Sequence, residues 1–359
     1  MPESAEHAEP DLERMTPVTR VVVIWSLVGV LLLAAFGSAI GALQQNVYSP
    51  SGFVGAYLNA IARHDTGAAL AMPGTRPSAA QLKASGLPMK PSHELLRSDV
   101  LGQLSDVHIL HDDRLPDGTH RVTAHYELDG KPASSNFIVA NHGSVLGIFA
   151  SWRFAVSPLA IAHVAVLHAT TFTIASNTGG THTVDTRAAS TVSGAFNNAA
   201  NYLVFTPSTL RLGHESRLLT APDVTKAVTK PGAVTDVSVT TVASAAFVNQ
   251  VKSQLGDYLD ECVKQQVLQP AGCPMGVVID DRIDGTPVWS MKTYPEVTIT
   301  AGAQGWVMPT TAGMAHLKVK VQSLFDGSIS LRDDDEPFTI SLTRVVIRED
   351  GSLDLTVGP

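Results

Sequence analysis

One uninterrupted apolar stretch constrains the fold of this chain more than any other feature. Residues Val21–Leu43 contain no charged side chain, and residues 44–359 after them have the mixed composition of globular protein. As an α-helix rising about 1.5 Å per residue, the stretch would be roughly 34 Å long, enough to cross a hydrocarbon core of about 30 Å. We therefore predict a transmembrane helix at residues 21–43.

The basic residues beside this stretch predict its orientation. Arg14 and Arg20 precede it, whereas the first basic residue after it is Arg63. By the positive-inside rule, residues 1–20 should form a cytoplasmic tail and the C-terminal remainder should be extracytoplasmic. We therefore expect a single-pass protein of the cell membrane that contacts the lipid bilayer through its N-terminal helix. A cleaved signal peptide is the alternative, although its apolar core usually has only about 7–15 residues.

Charge and cysteine content limit the partners and the covalent cross-links that this chain can have. The formal net charge is −8 and no cluster of Lys and Arg occurs, which argues against nucleic acid as a partner. The two cysteines, Cys262 and Cys273, are close in sequence, and in an extracytoplasmic domain such a pair predicts a disulfide. Free thiols and a catalytic pair are the alternatives.

Hydrophobic patterning divides the globular part into three blocks. Residues 51–156 begin with helical periodicity and continue with strands, as in the strict alternation of Val122–Leu128 before the turn residues Asp129 and Gly130. Residues 157–242 consist of short runs rich in Val, Thr and Ala between turn residues, which predicts a small β-rich domain.

The third block, residues 243–359, opens with the clearest amphipathic helix of the globular part. Its apolar side chains recur at helical spacing and include Phe247, Leu255 and Leu259. Alternating strands follow, with a slip of phase near Arg344 that predicts a β-bulge. The charged run Arg332–Glu336 is expected to form a solvated hairpin tip.

Two segments resemble known families. The stretch FVGAYLNAIARHDTGAAL, beginning at Phe53, resembles the opening helices of NTF2-like and cystatin-like α+β folds. The whole layout is similar to that of single-pass envelope proteins of Gram-positive bacteria in the TcaA-like group. The run LDECVKQQVLQPAGCPMG, with Trp289 downstream, resembles a signature of the actinobacterial members. The resemblance implies a role at the cell envelope and transfers no catalytic residue.

The predicted fold class is therefore α+β. It comprises the N-terminal transmembrane helix, an NTF2-like α+β domain at residues 51–156, a small all-β segment at 157–242, and a second NTF2/cystatin-like α+β domain at 243–359.

The sequence offers few candidate site residues. It contains no familiar catalytic motif, and none of its 13 histidines has the i, i+4 helical spacing of a metal site. We therefore predict no metal, no cofactor and no enzyme activity. Aromatic and arginine residues favoured at interfaces supply the candidates for an interface or pocket. These are Tyr57, Trp152, Arg153, Tyr258 and Trp289.

These observations predict a non-enzymatic, membrane-anchored extracytoplasmic protein that binds a cell-envelope component or a membrane-protein partner. The alternative is binding of a small apolar ligand in an NTF2-like cavity, and an enzyme is the less favoured reading. A core filled by Phe247, Leu255 and Leu259 would argue against that cavity.

Overall fold

The structure, a computed structural model, describes residues 17–145, 147, 149–190 and 196–358. It is mostly β, with 46% of residues in strands and 21% in helices. The predicted α+β class is therefore wrong. The strands are longer and more numerous than the sequence pattern suggested, whereas two of the helices that follow the first have only six residues each. The helices are α1 (Pro17–Asn46), α2 (Pro50–Ala62), α3 (Thr66–Ala71), α4 (Ala79–Ala84) and α5 (Ala245–Val263).

The predicted transmembrane helix is contradicted. Over the residues described, no helix combines the length and the apolar character needed to cross a membrane. The predicted location as a single-pass protein of the cell membrane is therefore also contradicted. Most of the predicted cytoplasmic tail, residues 1–16, lies outside the described residues.

The first sheet is a simple antiparallel meander. Helix α2 packs on it with Tyr57, Leu58 and Ile61 buried. The predicted turn at Asp129 and Gly130 is confirmed, since both residues have positive φ, at 51° and 71°. The strands are β1 (Leu104–Arg114), β2 (His120–Leu128), β3 (Lys131–Val145) and β4 (Phe149–Phe154), paired in that order.

Two facing sheets follow and form a β-sandwich. One sheet has the order β12-β10-β9-β6-β7 and the other the order β11-β5-β8, with β11 and β5 parallel. Phe172 and Tyr202 meet edge to face in the core between them, with ring centroids 5.6 Å apart. The strands are β5 (Leu159–Leu167), β6 (Thr171–Ala175), β7 (Thr181–Asp185), β8 (Asn197–Phe205), β9 (Ser208–Glu215), β10 (Leu219–Val228), β11 (Val234–Thr240) and β12 (Val242–Ala243).

The C-terminal sheet is built on one long hairpin covered by α5. Strand β16 pairs with β17 along its length, while β13, β14 and β15 pair with the other edge of β16 and β18 pairs with β17. The register shifts between Leu342 and Arg344, so the predicted bulge is confirmed. The strands are β13 (Arg282–Ile283), β14 (Val288–Thr293), β15 (Thr300–Ala301), β16 (Trp306–Gln322), β17 (Ile329–Ile347) and β18 (Leu353–Gly358).

The acidic run does not form a hairpin tip. Residues Arg332–Glu336 lie within β17, and the turn between β16 and β17 falls at residues 323–328. Cations compensate the run inside the sheet: Lys292 pairs with Asp335 and Lys318 pairs with Asp333, while the ring of His316 contacts both carboxylates. This compensation across strands explains how a dense charge run can occupy a regular strand.

Candidate functional site

A cleft of about 590 Å³ lies between the β-sandwich and the C-terminal sheet. Its lining includes the turn between β5 and β6, the turn between β9 and β10, the residues at the start of β16, and the end of β17 with the turn that follows it. Small-molecule sites typically measure about 300–1,000 Å³. The cleft therefore has the size of a ligand site and the position, between two sheets, where such sites often occur.

The floor of the cleft is aromatic. Trp306, the first residue of β16, is only 4% exposed and meets Phe196 edge to face with ring centroids 5.8 Å apart. The ring of His168 lies 5.0 Å from Phe196 and 5.7 Å from Trp306. Below them, the fully buried Phe247 of α5 packs against Trp306 at 5.7 Å. The floor is thus fixed to the core of the C-terminal sheet.

Four arginines line the same cleft, and two of them are neutralised locally. Arg187 pairs with Asp185 at 2.7 Å, and Arg348 pairs with Asp354 at 2.6 Å. Hydrogen bonds to these carboxylates raise the pKa of both guanidinium groups above their ordinary value. These two cations already have carboxylate partners close to them in sequence.

The other two arginines have no such partner. Arg217 donates to the side-chain oxygen of Gln250 at 2.8 Å and to the carbonyl oxygen of Gly351 at 2.6 Å, both neutral acceptors. Arg344 is exposed on β17 at the bulge. Over the described residues, neither guanidinium forms an ion pair, and Glu349 is the one carboxylate among the lining side chains. The cleft therefore carries positive charge in a protein whose formal net charge is −8.

Gly351 positions Arg217 at the edge of the cleft. Its φ is +77°, a left-handed conformation that glycine adopts at little cost. A β-carbon at this position would lie 2.7 Å from a terminal nitrogen of Arg217. The close approach of the guanidinium to the hairpin backbone therefore requires glycine.

His214 and Ser216 form the nearest approach to a nucleophile–base pair in the cleft. The imidazole Nδ1 lies 2.8 Å from the carbonyl oxygen of Thr171, which can only accept, so Nδ1 donates and Nε2 faces the hydroxyl of Ser216 at 3.2 Å. That hydroxyl also accepts from the N–H of Leu219 at 3.0 Å and lies 3.1 Å from its carbonyl oxygen. Both side chains thus hold the turn between β9 and β10.

Three of the residues predicted as candidate site residues lie in the first sheet, away from the cleft. Tyr57 is fully buried between Phe137 and Phe154, and this burial raises the pKa of its hydroxyl. Trp152 donates its indole N–H to the carbonyl oxygen of Tyr48 at 2.8 Å. Arg153 is exposed on β4.

The remaining predicted residues surround the disulfide loop after α5. The pairing of Cys262 with Cys273 is confirmed. The hydroxyl of Tyr258 donates to the carbonyl oxygen of Gly272, and the indole N–H of Trp289 donates to that of Val267 at 2.8 Å. These residues stabilise the loop and do not line the cleft.

The sequence interpretation missed Arg217, Arg344, Trp306 and Gly351. They come from three distant segments, so no local motif joins them. One signal in the sequence lay nearby, the slip of phase near Arg344, but it predicted a β-bulge and no chemistry. Within the described ranges, no group of three His, Cys, Asp or Glu side chains could hold a metal ion.

The predicted resemblance to TcaA-like and NTF2-like proteins stays a prediction. Comparison of the chain with models of protein families, with curated proteins and with solved structures found no match.

Proposed function

We propose that this protein is a non-enzymatic binding protein that holds an anionic ligand in the cleft between the β-sandwich and the C-terminal sheet. The observation that carries the proposal is the pair Arg217 and Arg344, two cleft-lining guanidinium groups without a carboxylate partner over the described residues. Arg187 and Arg348 show that local compensation is available on the same walls. The two remaining charges are therefore available to a ligand.

The chemistry of arginine favours a carboxylate or phosphate. A guanidinium group is planar, stays charged at all physiological pH values, and presents a fork of N–H donors that matches two oxygens of such an anion. Beside an apolar floor, the attraction between ligand and cation is also screened less than on an open surface.

The arrangement of His214 and Ser216 supports binding over catalysis. The backbone groups of Leu219 engage the hydroxyl of Ser216, and the imidazole is fixed by the carbonyl oxygen of Thr171. These contacts give both side chains a structural role in the turn that carries Arg217.

The partners predicted from sequence fit this proposal where they present an anionic group. A cell-envelope component or a membrane protein with an exposed carboxylate or phosphate meets that requirement. A small apolar ligand inside the C-terminal core is less favoured, because Phe247, Leu255 and Leu259 fill that core and are each at most 2% exposed.

Calorimetric titration of the full chain with phenyl phosphate tests the proposal. We expect binding that Arg344→Gln weakens about tenfold, since a charge-assisted hydrogen bond contributes roughly 1.5–3 kcal/mol. Arg121→Gln, which removes an exposed arginine from β2, is the matched control and should leave the affinity unchanged. Absent binding, or an equal loss in both variants, would contradict the anion site.

A serine-reactive fluorophosphonate tests the non-enzymatic part of the proposal. We expect no labelling of Ser216, because its hydroxyl is held in the turn. Labelling that disappears in Ser216→Ala would show an activated nucleophile and would contradict it.

A further inference from the structure

We infer that the ligand of this cleft is an amphiphilic anion, with one carboxylate, phosphate or sulfonate group and a flat apolar body of two or more rings or a comparable chain. The inference rests on the proposed function and adds the class of ligand. It follows from the way the cleft combines an aromatic floor with two uncompensated cations.

The floor requires an apolar body. Phe196, Trp306 and His168 form a continuous ring array with centroid separations of 5.0–5.8 Å. Val346 and Ile347 are half-buried apolar side chains of the same lining. An ion as small as inorganic sulfate would leave them and the half-buried rings of Phe196 and His168 in water. A flat ring system would cover it, and aromatic pairs at such separations are favourable in edge-to-face or offset geometry.

The charges require a single anionic group. Among the described residues, Arg217 and Arg344 are the two cleft arginines without a carboxylate partner, whereas Arg187 and Arg348 are paired. Glu349 lies in the same lining and would repel further negative charge. One monoanionic or dianionic head group balances this set, and a polyanion does not.

The volume fits both parts together. A cleft of about 590 Å³ exceeds what a lone oxyanion needs and matches a small ring system with one head group. Arg217 is held on the hairpin by the carbonyl oxygen of Gly351, so one wall is preorganised for the head group before the ligand arrives.

Three probes separate the head group from the body. 8-Anilinonaphthalene-1-sulfonate carries both, N-phenyl-1-naphthylamine carries the rings without the charge, and inorganic sulfate carries the charge alone. With the folded full chain, we expect the sulfonate dye to bind at least tenfold more tightly than either other probe. Dye fluorescence and calorimetry measure the affinities.

Two variants assign the parts to residues. Arg344→Gln should weaken the sulfonate dye about tenfold and change the affinity of the neutral naphthylamine by less than twofold. Phe196→Ala should weaken both aromatic probes and leave sulfate unaffected. Arg121→Gln is the control for non-specific charge effects, and circular dichroism checks that each variant is folded.

The outcomes distinguish this inference from the proposed function. If sulfate binds as tightly as the dye, the cleft is a plain anion site, which overturns the inference and leaves the proposed function in place. If the neutral naphthylamine binds as tightly as the dye and Arg344→Gln has no effect, the anionic ligand itself is wrong. If no probe binds, both are overturned.

Discussion

The two ends of α5 contrast in how they satisfy their polar groups. At its N-terminal end, Ser244 caps the helix and its hydroxyl donates to the carbonyl oxygen of Arg217, beside an open cleft with uncompensated charge. At the other end, the Cys262–Cys273 disulfide and the hydrogen bond of Tyr258 to Gly272 close the loop that follows.

This contrast shows where function and scaffold separate within one domain. The disulfide end supplies partners for its polar groups from its own loop, so nothing there requires a ligand. Over the residues that the structure describes, the cleft end leaves the guanidinium groups of Arg217 and Arg344 without a carboxylate partner. The cysteines, Tyr258 and Trp289, which the sequence singled out, lie at the disulfide end. The candidate site lies at the cleft end.

The largest expected effect comes from the core beneath the cleft. Phe247→Ala should lower the free energy of unfolding by about 3–5 kcal/mol, because it removes a fully buried ring, and should also weaken ligand binding by loosening Trp306. Leu259→Ala, at the disulfide end of the same helix, should cost about 2–5 kcal/mol and leave affinity unchanged. Denaturant unfolding and phenyl phosphate titration measure both. Equal losses of affinity would remove the contrast between the two ends.

Loss of the disulfide should affect stability alone. Cys262→Ser opens a short loop and should lower the free energy of unfolding by about 2–3 kcal/mol. Ligand affinity should stay within twofold of the wild type, because neither cysteine lines the cleft. Unfolding in oxidised and reduced buffer checks the first expectation, and an unchanged midpoint in both would refute it.

Gly351→Ala, unlike the loss of the disulfide, should lower mainly the ligand affinity. The β-carbon would meet Arg217, and the left-handed backbone would cost about 1–2 kcal/mol of stability. We expect ligand affinity to fall about tenfold although every arginine remains. Gly118→Ala changes a turn glycine of similar φ with nothing within 4 Å of its β-carbon, and it serves as the matched control. Equal affinities of the two variants would argue against a positioning role for Gly351.

The smallest expected effect is on stability at alkaline pH, and it involves only the disulfide end. Burial raises the pKa of Tyr258, whereas in the unfolded chain its hydroxyl loses its proton near pH 10. The stability that this hydroxyl contributes is therefore complete below about pH 10 and decreases as the pH rises further. Tyr258→Phe should cost about 1 kcal/mol at neutral pH and flatten this alkaline decrease. An unchanged pH profile in the variant would contradict the assignment.

The fold could be predicted from the sequence where local pattern alone determines it. The alternation of Val122–Leu128 and the spacing of Phe247, Leu255 and Leu259 specified β2 and α5, because burial of one face imposes a period on the sequence. The class was wrong because the lengths of the strands and of the short helices α3 and α4 depend on pairing and packing between distant segments. The position of the β16–β17 turn was wrong because charge compensation across strands is not local. The carboxylates of Arg332–Glu336 read as a solvated tip until Lys292 and His316 are placed opposite them.

The candidate site could not be predicted for a related reason. Arg217, Arg344 and Trp306 become neighbours only when the β9–β10 turn meets the ends of β16 and β17. No residue type or spacing marks an arginine that lacks a carboxylate partner, because that property belongs to the packing. The disulfide was predictable, since two cysteines offer a single pairing.

Arg217 belongs to two structures at once. Its backbone carbonyl accepts from Ser244 at the start of α5, while its guanidinium reaches across to the hairpin at Gly351. The same residue therefore links the sandwich to the C-terminal sheet and lines the cleft. Binding of an anion in the cleft should consequently slow amide hydrogen exchange around these contacts. We expect the slowing both in the β9–β10 turn and in the β17–β18 turn.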